Sequence, residues 1–160
     1  MRVLLTGASG LLGYELIRHL SNDKMIQVYA VTRSSLPEDS LGVETINCDF
    51  NGKFDIGLLP KEMDAIVHLA MSPDFRVFPE KSIDVFNVNV ASTMHLIDYA
   101  CKTRVKKFIF ASSGVYSGGG DISHSEDEPV CIGEVDNLYL ATKICGEVLG
   151  IINYVNFVFI

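Results

Sequence analysis

The stretch LLTGASGLLG, residues 4–13, constrains this chain more than any other part of it. Gly7, Gly10 and Gly13 fall at three-residue intervals, after the apolar run RVLLT and at the start of a segment where Leu12, Leu16, Ile17 and Leu20 recur near helical spacing. A strand that turns directly into a helix needs a glycine for the tight turn. It needs a second where a ligand must approach the backbone, and a third where the helix packs closely on the strand. Gly7, Gly10 and Gly13 suit these roles in that order. Free N–H groups and the dipole at such a helix start stabilise phosphate charge. Ser9, Leu11 and Leu12 belong to the same turn and helix start, so with the glycines they form a candidate cradle for the pyrophosphate of a dinucleotide.

The rest of the chain alternates strand-like and helix-like segments. IQVYAVT (26–32), VETINC (43–48), AIVHLA (65–70), KKFIFAS (106–112) and YVNFVFI (154–160) read as strands. Helices are expected over 11–20, 79–102 and 136–153, with Pro79 in the first turn of the second. Val90, Met94, Ile97 and Cys101 would line that helix's buried face. Such alternation predicts an α/β chain: a Rossmann-type, doubly wound parallel sheet in three layers, α/β/α. Its length favours one domain over residues 1–160. A glycine-rich stretch over 114–134 reads as a long loop of the kind that is often functional. The last apolar strand runs to Ile160 without a polar tail, so the chain is expected to be part of a longer protein.

Three further groups of residues carry chemistry. An acidic side chain at the end of the second strand would bind the ribose 2′-hydroxyl of NAD. Here the sequence is VTRSS, in which Arg33 can pair with a 2′-phosphate through its planar fork and Ser34 or Ser35 can donate to it. NADP is therefore expected ahead of NAD. In YLATK, Tyr139 and Lys143 stand at i and i+4 and share a helix face. An ammonium beside a phenol favours the phenolate, which suits the pair to moving a proton at a substrate hydroxyl. Ser112 and Ser113 follow a central strand, at the end where open parallel sheets bind ligands, and either would orient a substrate oxygen. His68 reads as a core histidine, Asp49 as a turn former and Asn89 as a helix cap when each is taken alone.

Charge and cysteine usage exclude other classes. The 13 Lys and Arg against 20 Asp and Glu leave a net charge of −7, with no basic block to hold a nucleic acid. The four cysteines, Cys48, Cys101, Cys131 and Cys145, form no CxxC pair and no zinc spacing. Reduced thiols in a cytoplasmic protein without a bound metal are expected. No apolar run approaches the ~20 residues of a membrane span.

Taken in order, TGASGLLG, CDF, HLA, NVNVAST, FIFASSGVY, EDEP and YLATKICGE resemble the NAD-dependent epimerase/dehydratase family of the extended short-chain dehydrogenase/reductase superfamily, over nearly the whole chain. The resemblance implies Asp49 and Phe50 beside the adenine, Leu69 and Ala70 along the cofactor ribose and phosphates, and Asn89 near the active site. It implies Ser113 as the substrate-orienting hydroxyl, Tyr139 as acid/base, and Lys143 on the nicotinamide ribose. It also implies a small-molecule substrate, a nucleotide sugar, with a C-terminal substrate domain outside this chain, and a homodimer through the two long helices. A carbonyl reductase or a non-catalytic NAD(P)-binding sensor is the alternative. The chain departs from the family pattern where Gly114 alone separates the serine pair from Val115 and Tyr116, at Ser117, and at Ser92, positions where glycine is usual for the last two.

Overall fold

The computed structural model describes residues 1–36, 42–52, 54–113, 125, 133, 135–153 and 156–160. Strands β1 (Arg2–Thr6), β2 (Gln27–Thr32), β3 (Val43–Asn47), β4 (Ala65–His68), β5 (Lys107–Phe110) and β6 (Phe157–Phe159) form one sheet in the order β3-β2-β1-β4-β5-β6. Every pairing is parallel. The chain starts in the middle, winds to one edge, returns to the middle and winds to the other. The reversal falls between β1 and β4, and their carboxyl ends flank the crevice.

Side-chain alternation divides the core in two. Val3, Leu5, Val28, Ala30 and Val67 point to one face, where α1 (Leu11–Leu20) packs Ile17 against them. Leu4, Val31, Ile66, Phe108 and Phe110 point to the other, under α3 (Ser92–Thr103) and α4 (Leu138–Asn153). Both faces of the middle strands are buried, which is why these strands read as near-continuous apolar runs. The three layers are uneven among the described residues: α1 alone covers one face, and two long helices cover the other.

The long helix before β5 departs from the expected one in two ways. It starts at Ser82 and not at Pro79, because the Pro79 carbonyl accepts both Ser82 N (3.1 Å) and Ser82 Oγ (2.7 Å) and closes a separate turn. Its middle, Asn87–Ala91 between α2 (Ser82–Phe86) and α3, is a π turn. That wide turn inserts a residue, so the buried stripe moves on by one position. Leu96, Ile97, Tyr99 and Ala100 face the core, whereas Met94 and Cys101, expected inside, are exposed. Other bounds shift by one to three residues. Of the long loop, Ser125 and Gly133 are described. Gly114, Val115, Tyr116, Ser117, EDEP and Cys131 lie outside the described residues.

Helix α4 approaches the sheet through its glycines. A Cβ on Gly146 would lie 2.8 Å from Phe110 Cε1, and one on Gly150 would run into the Phe157 ring. Phe110 is itself 2% exposed and has no room to yield. Gly146→Ala is therefore expected to lower unfolding free energy by about 1–3 kcal/mol, the usual cost of overpacking. Urea denaturation at neutral pH measures this, and an unchanged midpoint would contradict the packing described.

Candidate functional site

At the carboxyl end of β1 the backbone turns sharply at Gly7, whose φ is +71°. An added Cβ there would lie 2.7 Å from Ala70 N and from Leu69 C, so the end of β4 leaves room for glycine alone. Gly10 N donates to Gly7 O at 3.0 Å. Gly13 packs against the same turn, where its Cβ would sit 2.8 Å from Ala8 Cα. Gly10 is the N-cap of helix α1 and makes no side-chain cap, so the first N–H groups of the helix, at Leu11 and Leu12, have no capping side-chain oxygen.

These elements enclose a cavity of about 300 Å³ whose wall includes Gly7, Ser9, Gly10, Arg33, Asp49, Phe50, Leu69 and Ala70. Arg33 reaches it from the end of β2 with its side chain exposed. Ser34 does not: Thr32 Oγ1 accepts from Ser34 N (3.2 Å) and donates to Ser34 O (2.9 Å), and this tight turn carries Ser34 into solvent. Leu11 and Leu12 are 82% and 67% exposed at the start of α1, next to the wall residue Gly10. Asp49 accepts from Asn51 N at 3.0 Å, the turn-forming role available to any aspartate, while also lining the cavity. Phe50 is buried edge-on to Phe54, with ring centroids 5.0 Å apart.

Asn89 sits behind the wall. It is 4% exposed, accepts from Ser72 N at 2.8 Å and donates to Thr142 Oγ1 at 2.9 Å. Thr142 in turn donates to Tyr139 O at 2.8 Å. Asn89 thus tethers the loop after β4 to α4, and the π turn that carries it aims this amide inward. The same turn anchors a second chain of bonds. Ala70 N donates to Thr6 Oγ1 (3.2 Å), Thr6 Oγ1 meets His68 Nδ1 (2.6 Å), His68 Nε2 meets Thr93 Oγ1 (2.9 Å), and Thr93 donates to Asn89 O (2.7 Å). The last bond uses the Thr93 proton, so Nε2 carries hydrogen, and Nδ1 accepts from Thr6. Burial holds His68 in this neutral form and lowers its pKa to about 3, with a smaller contribution from the Lys143 charge.

Tyr139 and Lys143 share a face of α4, as their spacing predicts. The Lys143 ammonium lies 5.7 Å from the Tyr139 ring centroid and 5.1 Å from that of Phe110, and it donates to Ala111 O at 2.7 Å. Burial lowers its pKa to about 8, so it remains charged at neutral pH. One turn further on, Glu147 accepts a hydrogen bond from Ser112 Oγ within the packing of α4 on β5. Ser113 is half-buried beside it. Tyr139 borders a second cavity of about 640 Å³, and the 3₁₀ turn Pro73–Arg76 separates it from the first. Glu147, Thr6, Thr93, Ser72 and Thr142 are contributors that the sequence reading missed. Glu147 alone had a visible signal, as the next residue on the Tyr139–Lys143 face at i+4 from Lys143.

A glycine turn into a helix without a side-chain cap, at the switch point of a 3-2-1-4-5-6 parallel sheet, defines a Rossmann fold of the dinucleotide-binding kind. The chain belongs to the NAD dependent epimerase/dehydratase family, whose model matches residues 3–152. It is similar to uronate dehydrogenase of Pseudomonas putida, 31% identical over 91% of this chain and 53% of that protein. It also resembles the solved structure of MoeE5 in complex with UDP-glucose and NAD, at 27% identity, TM-score 0.81, and coverage of 99% of this chain and 52% of that one. The UDP-glucuronic acid 4-epimerase of Bacillus cereus in complex with NAD shares the fold, at 23% identity, TM-score 0.84, and coverage of 99% and 55%. The chain spans about half the length of the curated relatives it matches. No described helix is long and apolar enough to cross a membrane.

The relay through His68 has a thermodynamic signature. Its folded pKa of about 3 lies below the ordinary 6.5, so below pH 6.5 the unfolded chain binds a proton that the folded chain refuses. Stability from this residue is complete above pH 6.5 and falls with pH by about 1.4 kcal/mol per unit until the folded value is reached. His68→Gln is expected to be less stable at pH 7 but to lose less stability than wild type between pH 6.5 and 4.5. Parallel acid slopes in denaturant titrations would refute the neutral relay.

Proposed function

We propose that these residues form the dinucleotide-binding part of an oxidoreductase of epimerase/dehydratase type that acts on a nucleotide sugar. The observation that carries this reading is the shared 3₁₀ turn: Pro73 lines the glycine-turn cavity and Phe75 lines the cavity of Tyr139, so cofactor and substrate sites adjoin. The residues fit a dinucleotide. The start of α1 has no side-chain cap, and Gly10 presents bare backbone to the cavity. Gly7, Ser9, Gly10 and the N–H groups of Leu11 and Leu12 would hold the pyrophosphate, Asp49 and Phe50 the adenine, and Leu69 and Ala70 the ribose side.

The dinucleotide supplies hydride acceptance and return at its nicotinamide ring. This chain's own groups position and move the proton. Tyr139 takes it from, or returns it to, the substrate hydroxyl. Lys143 places a positive charge beside that phenol and has N–H donors beyond its bond to Ala111 O for a ribose hydroxyl. Ser113, half-buried just past the carboxyl end of β5, orients the substrate oxygen. Substrate contacts beyond Tyr139 and Ser113 are assigned to chain outside these 160 residues, in keeping with the half-length coverage of relatives. A homodimer through α3 and α4 is supported by exposed Val148, Ile151 and Ile152 on α4. Free Cys48, Cys101 and Cys145 suit a reducing, cytoplasmic setting.

The solved relatives named above hold NAD. The observation favouring the 2′-phosphorylated form here is Arg33, an exposed guanidinium on the cavity wall at the end of β2. Calorimetric titration is expected to show binding of both NAD and NADP, with NADP tighter. Arg33→Ala should lower the NADP-to-NAD affinity ratio by about tenfold, the worth of one charge-assisted contact of roughly 1.4 kcal/mol. An unchanged ratio removes the phosphate role of Arg33, and failure of both dinucleotides to bind removes the proposal. The 160-residue chain is expected to turn over no nucleotide sugar, and epimerisation by it would place the substrate contacts within these residues.

A further inference from the structure

Helix α4 buries two opposite charges, and they engage consecutive residues of one strand end. Lys143 and Glu147 stand at i and i+4, 5% and 9% exposed. Gly146 and Gly150 pack against the Phe110 and Phe157 rings, and this close approach brings both charges to the carboxyl end of β5. The ion pairs found among the described residues do not join the two to each other. Instead the Lys143 ammonium donates to Ala111 O at 2.7 Å, and Glu147 accepts from Ser112 Oγ. The backbone of the same two residues is held from both sides. Ala111 N donates to His68 O on β4 at 3.2 Å, and Ser112 N donates to Ile160 O, just past β6, at 2.8 Å. Glu147 lines neither of the two cavities described above, so any effect it has on a ligand must pass through this strand end.

The Ala111 carbonyl and the Ser112 N–H belong to one planar amide, so they turn together. The oxygen that seats the ammonium therefore keeps its direction only while Ser112 stays in place. We propose that Glu147 is a positioning residue: by accepting from Ser112 it fixes the peptide plane on which the Lys143 ammonium rests, and so sets the affinity of the site for the nicotinamide half of the dinucleotide. This rests on the reading of Lys143 as the contact to the nicotinamide ribose. The role requires an acceptor and no charge, because the Ser112 hydroxyl is a neutral donor. An amide oxygen accepts the same bond, so Glu147→Gln keeps the role and Glu147→Ala abolishes it. The other half of the dinucleotide does not feel the change. Its cradle is built from the glycine turn, the start of α1 and the residues that follow β2 and β3.

Calorimetric titration of the 160-residue chain with NAD and with ADP, which lacks the nicotinamide riboside, separates the two halves. Glu147→Ala and Ser112→Ala are each expected to lower NAD affinity about tenfold, the worth of one hydrogen bond from a charged donor, and to leave ADP affinity within about twofold. Glu147→Gln should recover most of the loss. The double variant Glu147→Ala/Ser112→Ala should lose no more than either single one, because both remove the same bond. Unchanged NAD affinity in the alanine variants, or additive losses in the double one, overturns the proposal. So does an equal loss for NAD and ADP, which marks general loosening of the fold, and so does a Glu147→Gln chain as weak as Glu147→Ala, which marks a need for the charge. Lys143→Ala tests the underlying reading separately. It should lower the NAD-to-ADP affinity ratio by about tenfold, and an unchanged ratio removes the ribose role of Lys143 and this proposal with it. Circular dichroism checks folding, and if Glu147→Ala fails to fold, Ser112→Ala at its half-buried position decides the matter by the same ratio.

Discussion

The described site depends on the close meeting of β1 and β4 at their carboxyl ends. Gly7 turns the chain with no side chain to obstruct it, and the backbone of Leu69 and Ala70 fills the space that a Cβ would need. The contact would cost free energy if the polar groups it buries were left unpaired. Thr6 resolves this by accepting from Ala70 N while donating to His68, and His68 passes the chain of bonds to Thr93 and the π turn. The glycine turn, the cavity floor and the helix carrying Asn89 are therefore held by one continuous buried network. Such networks are stabilising when every member is satisfied, and both ring nitrogens of His68 are.

A second constraint fixes the other half of the site. Lys143 is buried among Phe110, Tyr139 and the Ala111 carbonyl. Burial weakens its hold on a proton, yet the pKa of about 8 leaves it charged at neutral pH. Asn89 joins this half to the first through Thr142, whose hydroxyl ends on the Tyr139 carbonyl. Few residues of this machinery touch a cavity directly. Most act by fixing the direction of those that do.

The order of elements was legible because glycine spacing and apolar runs reflect backbone requirements that hold in any context. Gly7 and Gly13 have no steric alternative, and the middle strands, buried on both faces, announce themselves by apolar residues at successive positions. The Tyr139–Lys143 pair was legible for the same reason, since i and i+4 meet on any helix. The inward role of Asn89 was not. It depends on a π turn that leaves no clear periodic mark and that also displaced the expected core positions Met94 and Cys101. The directions of Ser34 and of the Leu11 and Leu12 side chains were not legible either, because a local Thr32 turn and an outward helix face decide them. The polar relay was hidden as well, because threonine and histidine inside strands look ordinary until the register sets Thr6 beside His68.

The π turn also makes segment length, more than composition, the sensitive variable in residues 87–91. Each residue of a regular helix turns the chain by about 100°. Deleting one residue there would straighten the helix, but either Asn89 would swing away from Ser72 and Thr142, or Leu96 and Ile97 would rotate out of the core. A substitution at a half-buried position such as Asn87 or Ala91 leaves both registers in place. The segment can thus drift in sequence while remaining closed to insertion and deletion, and the core on one side of the turn keeps the site on the other in phase.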